Sequence, residues 1–101
     1  MQENIELKVE DKIKLKIISA KLTEHMKDLI IKEAHEIIDN DENVPLVKRE
    51  INRTSLIIKL DDDFKEEIRT FCDMHSIRIR DFWVECVNRI IRRYPDDSEI
   101  I

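Results

Sequence analysis

The stretch TSLIIKLDDDF, residues 54–64, decides how this chain reads. Leu56, Ile57, Ile58 and Leu60 are strong strand formers, interrupted by the single charge of Lys59 and ended by three aspartates, Asp61 to Asp63. Aspartates at such a boundary suit the start of a helix, where carboxylates meet exposed backbone N–H groups and the positive end of the dipole. A lysine inside a buried strand is expensive unless paired, so Lys59 needs a reason.

A second copy of the pattern lies upstream. IELKVED (5–11) overlays LIIKLDD (56–62), with apolar residues alternating in both, Lys8 on Lys59 and Asp11 on Asp62. MKDLIIKEAHEII (26–38) overlays IRDFWVECVNRII (79–91), placing Asp28 on Asp81 and Lys27 on Arg80. The apolar doublets in both recur at a helical period, which predicts an amphipathic helix twice. Each half carries a further helical segment between strand and long helix, anchored by Ile13, Ile17 and Ala20 in the first and by Phe64, Ile68, Phe71 and Cys72 in the second. The first copy is two residues shorter there. KIKLKII (12–18) also alternates with period two, so a hairpin strand pairing with residues 5–9 stands beside the preferred helix. Thr23 and Ser76 fall just ahead of the long helices, where a hydroxyl caps free N–H groups. The domain plan is a first unit over 1–39, a polar linker over 40–53 with Pro45 and one expected helical turn, a second unit over 54–95, and a tail over 96–101.

Composition narrows the classes. A chain of 101 residues makes one small domain or two half-size units sharing a core. A net charge of -5 with 41% charged residues excludes a generic basic nucleic-acid coat, so any DNA contact is local. Glycine is absent, and isoleucine, lysine and glutamate dominate, a pattern common in thermophile proteins. Cys72 and Cys86 sit in apolar-periodic segments, as small buried side chains do, which points to an intracellular, cytoplasmic protein. No apolar run is long enough to span a membrane, and the N-terminus lacks a signal-peptide core.

Strand, short helix and longer helix in this spacing resembles the ribbon-helix-helix family of DNA-binding proteins, the MetJ/Arc and CopG-like repressors. The resemblance is closest over residues 54–94 and weaker over 4–39, where the unit is degenerate; the glycine usual between the two helices is missing from LTEH (22–25) and MHSIR (74–78). It implies a mainly α fold with a small antiparallel β-ribbon, whose inner face lies on the helices and whose outer face enters the major groove. Leu56, Ile58 and Leu60, with Ile5, Leu7 and Val9, then face inward. Asn4, Glu6 and Lys8, with Ser55, Ile57 and Lys59, face out as base readers: lysine for guanine, asparagine for adenine, glutamate for cytosine N4 and Ile57 for a thymine methyl. The resemblance further implies phosphate contacts at the start of each second helix, from Thr23 and Lys27 and from Ser76, Arg78 and Arg80, with Glu24 unfavourable. Arg53 is a further backbone contact.

Plainer roles stand beside these. Lys8 and Lys59 without the repeat are ordinary solvated strand residues, Arg89, Arg92 and Arg93 suit a solvated helix face better than a DNA patch, and Trp83 belongs to the core. Cys72, His75 and Cys86 supply only three zinc ligands, two of them on apolar faces. Asp61 to Asp63 are explained by capping, a chain without glycine has no phosphate-cradling loop, and no nucleophile accompanies the histidines, so neither an enzyme nor a cofactor is expected. The two strands pair within one chain across a linker reaching about 20 Å, or between chains as a dimer or open array. The expected function is a sequence-specific regulator of transcription that binds double-stranded DNA and self-associates, similar to regulators of crenarchaeal viruses and plasmids, acting in the host cytoplasm if viral. The alternative is an antitoxin-type protein-binding module with the same fold.

Overall fold

Two β-α-α units follow one another: β1 (Gln2–Lys8), α1 (Val9–Leu22), α2 (Met26–Asp39), then β2 (Arg53–Lys59), α3 (Asp62–Met74), α4 (Ile79–Arg93). The computed structural model describes residues 2–46 and 52–94. The strands form one two-stranded antiparallel sheet, with Gln2 opposite Lys59, Ile5 opposite Leu56 and Lys8 opposite Arg53. Ile5 and Leu56 are also the residues that the repeat makes equivalent, so a pseudo-two-fold axis passes between them. Mainly helical architecture, a small ribbon and two units with this topology agree with the tandem ribbon-helix-helix expectation.

The ribbon has one dry face. Ile5, Leu7 and Ile58 are buried, and Leu60 follows them into the core just past the end of β2. Against this face lies α4, with α1 beside it. The buried positions of the long helices correspond: Leu29, Ile30, Glu33, Ala34 and Ile37 in α2 answer Phe82, Trp83, Cys86, Val87 and Ile90 in α4, which also buries Asp81 and Glu85. Pairs separated by one turn make a continuous apolar stripe, and α2 packs on α4 across the two-fold. Phe82 stacks edge-on against both Trp83 and Phe71, with ring centroids 5.3 and 5.8 Å apart, which joins α4 to α3. The two cysteines are buried and unpaired, and burial pushes the Cys72 thiol up to about 11.

Residues 12–18 are helical, the preferred of the two readings. Two expectations are corrected. Val9 opens α1 instead of closing the inner face of β1. The face α1 buries is Leu15 and Ile18, with Leu22 packed against the core, whereas Ile13, Ile17 and Ala20 point outward. In the second unit Leu60 and Asp61 intervene between strand and helix, while in the first α1 follows Lys8 directly; this is where the two extra residues lie, and it turns α1 to a different face.

Thr23 and Ser76 do not cap the long helices. The N-caps are His25 and Arg78, neither with a side-chain cap bond. Thr23 and Ser76 instead adopt left-handed conformations, φ 53° and 55°, closing α1 and α3. Their amides reach back to Ala20 and Asp73, and the next amides, of Glu24 and Ile77, reach Ser19 and Cys72. Both turns are thus Schellman closures, with a hydroxyl residue where glycine is usual. Asp61 is the N-cap of α3 by its backbone, although its side chain makes no cap bond, and Asp62 and Asp63 occupy the first turn, where their charge suits the dipole.

The linker is partly docked. Val44 joins the core cluster, Asp41 lies 2.7 Å from His75, and Glu42 lies 2.8 Å from Arg89. The strand of the second unit begins at Arg53, one residue earlier than expected. Residues 47–51 and the tail over 96–101 lie outside the described residues.

Charge also joins the units. Glu33 is 2% exposed, with one carboxylate oxygen 2.6 Å from Arg93 and the other without a hydrogen-bond partner. Arg93 also reaches Glu36, and Arg89 reaches Glu85 of its own helix. Arg89 is thus mostly covered, while Arg92 and Arg93 stay exposed on the helix face, Arg93 bridging the units from there.

Replacing Ser76 with glycine removes the strain of a left-handed side chain, offset by greater unfolded-state freedom; Ser76→Gly should raise stability by up to about 1 kcal/mol in chemical denaturation. Burial raises the Glu33 carboxyl above its ordinary range, against the opposing pull of Arg93. A folded-state value above the unfolded one means stability is lost as pH rises through the folded value. Arg93→Ala should therefore cost roughly 1–3 kcal/mol at pH ~7, discounted because Arg93 is partly exposed, and the cost should shrink as acid protonates Glu33. A cost independent of pH would show that Glu33 is not the group held.

Candidate nucleic-acid interface

The outer face of the ribbon is built by alternation alone. Because side chains alternate along each strand, Gln2, Asn4, Glu6 and Lys8 stand in register with Lys59, Ile57, Ser55 and Arg53. All six side chains expected to read bases occupy this one face, with Ile57 61% exposed. Lys8 and Lys59 are related by the two-fold and lie at opposite ends of the ribbon, about 20 Å apart at the usual strand rise. Between them lie an amide, a hydroxyl, a carboxylate and one aliphatic side chain.

The two ends differ. At one, Lys8 stands opposite Arg53, whose guanidinium lies 3.2 Å from the Glu6 carboxylate. Arg53, assigned to a phosphate by position in sequence, thus belongs to the outer face and orients Glu6. At the other end Lys59 stands opposite Gln2, which sequence reading overlooked although the alternation leads back to it. Lys12 was also overlooked: its ammonium donates to the Ser55 carbonyl at 2.9 Å, tying α1 to β2. Three cations against one carboxylate give the face a positive balance on an otherwise acidic chain.

The helix starts are unequal too. At α4, the buried Asp81 carboxylate accepts from Arg78 Nε at 2.9 Å and from Arg80 Nη2 at 3.4 Å. Asp81 thus fixes two cations beside the open N–H groups of the first turn, an arrangement suited to an anion. Arg78 keeps most of its side chain exposed, whereas Arg80 is mostly covered. At α2 the corresponding Asp28 is exposed, as are Thr23, Glu24 and Lys27. Ser76 is exposed in the turn ahead of α4. The signal that reveals Asp81 is its place in the first turn of a helix, directly after two arginines.

His75 is held by Asp41 and stacks on Phe71, away from any grouping with Cys72 and Cys86. Among the described residues no cluster of three or more histidine, cysteine or acidic side chains is placed to hold a metal ion. No described helix is long and apolar enough to cross a membrane. No family model, curated protein or solved structure matches this chain.

Asp81→Asn keeps the shape and removes the charge that both arginines share. It should lower stability by about 1–3 kcal/mol, because a buried charge-assisted bracket is lost; an unchanged melting transition would mean the bracket is not formed in solution.

Proposed function

We propose that the chain is a sequence-specific double-stranded DNA-binding regulator of transcription that inserts the β1–β2 ribbon into the major groove. The observation that carries this is the ribbon's composition by face: apolar toward the helices, and outward a row of donors and acceptors terminated at both ends by lysine. A two-stranded ribbon fits a groove about 12 Å wide, and Lys8, Lys59, Asn4 and Glu6 are the side-chain types that discriminate base edges there. In this reading Ser76, Arg78 and Arg80 at the start of α4, and Thr23 and Lys27 at α2, would take backbone phosphates. The Glu6–Arg53 pair would hold the carboxylate in one orientation toward cytosine. In this role the protein needs neither cofactor nor catalytic group.

The antitoxin-type alternative has its own support: α1 exposes apolar side chains that the fold does not use, and the chain is acidic. Salt and mutation separate the two. Selection from a random duplex pool at about 150 mM salt should enrich a motif with the natural chain and lose it with the double change Lys8→Ala, Lys59→Ala. Each lysine removed should relax base preference at its own position by roughly 1–3 kcal/mol. Because the outer residues of the two strands differ, the motif should have unequal halves. No enriched motif would overturn the DNA reading.

A further inference from the structure

Helix α1 is apolar on two opposite sides. Leu15, Ile18 and Leu22 meet the core, while Val9, Ile13 and Ile17 are 43%, 55% and 37% exposed on the outer side, continued by exposed Ala20. Steps of three and four residues place these on one stripe, with Lys12 and Lys16 along one edge and Lys14 and Lys21 along the other. The fold does not demand the stripe. At the corresponding positions α3 carries Asp62, Glu66, Thr70 and Asp73, all exposed. Apolar residues in one unit, where its twin is polar, mark a contact particular to α1.

We infer that the stripe is a docking site for an acidic, apolar segment and that its occupant is residues 96–101 of the same chain, DDSEII. Charge and apolarity both match: Asp96, Asp97 and Glu99 face a helix rich in lysine, and Ile100 and Ile101 supply the buried surface. A second α1 would set lysine against lysine, and α3 has no apolar stripe to offer. Reach also fits. Both Tyr94 and Leu22 pack on the core cluster. Seven extended residues beyond Tyr94 span about 23 Å, enough to round the helix and bring the isoleucines to Ile17 and Ile13. A tether this short gives an effective concentration that favours the chain's own segment over a neighbour's.

The inference is independent of DNA binding and is tested on the full-length chain by methyl NMR. Contacts are expected between the methyl groups of Ile100 or Ile101 and those of Ile13 or Ile17, in a sample monomeric by sedimentation and unchanged on dilution. The double change Ile100→Ser, Ile101→Ser should shift the amides of α1, and Ile13→Ser, Ile17→Ser should move the tail amides to unstructured values with the core spectrum retained, since both positions are exposed. Unmoved α1 amides in the first variant would overturn the proposal. So would methyl contacts seen only between differently labelled copies, which would assign the stripe to a second molecule.

Discussion

Antiparallel pairing of β1 with β2 carries the rest of the structure. A strand of 7 residues has no stability alone, and neither unit owns a second strand with which to cover its helices. Pairing around Ile5 and Leu56 creates a single surface with Leu7 and Ile58 on its dry side; α4 closes onto that surface and α2 packs on α4. The same alternation that buries these residues sends Lys8 and Lys59 outward. The lysine in the apolar run is thus a consequence of period two: a ribbon with one covered face has another that must be wet.

Across the two-fold the helices have diverged in charge while keeping their shape. Glu33 occupies in α2 the place of Cys86 in α4, and Glu36 the place of Arg89, so both acids of α2 meet Arg93 of α4, while Glu42 just past α2 meets Arg89. Two copies of the second unit would bring arginine to arginine, and two copies of the first would bury carboxylate beside carboxylate. The pairing of unlike units is therefore written into the contact itself, and like pairings are penalised by desolvated like charge. The first unit's weaker resemblance has a physical cause in this divergence.

Sequence periodicity made the two units, their topology and the facing of both strands legible, because burial on one side imposes a period that survives divergence. Val9 and the buried face of α1 were not legible. A helix with isoleucine on both sides, as in Ile13 and Ile18, offers no single apolar stripe to read, and only the direct passage from Lys8 into helix decides which side turns inward. Thr23 and Ser76 were recognised as equivalent but assigned to the wrong helix end, since a hydroxyl ahead of a helix and a left-handed residue behind one look alike in sequence. The outer-face residues were found by alternation, whereas the Glu6–Arg53 pair depends on a cross-strand distance that no local pattern encodes; the Asp81 bracket is local in sequence, and what hides it is the burial of Asp81.

Joining both halves of the ribbon in one polypeptide changes the molecularity of folding. A ribbon shared by two separate chains forms with a second-order dependence, and its stability falls as the protein is diluted. Here Ile5 and Leu56 belong to the same chain, so the folded fraction is set by the sequence and not by copy number. A single molecule in a cell can hold its ribbon assembled, and its two faces can diverge independently without ever meeting their own mirror image.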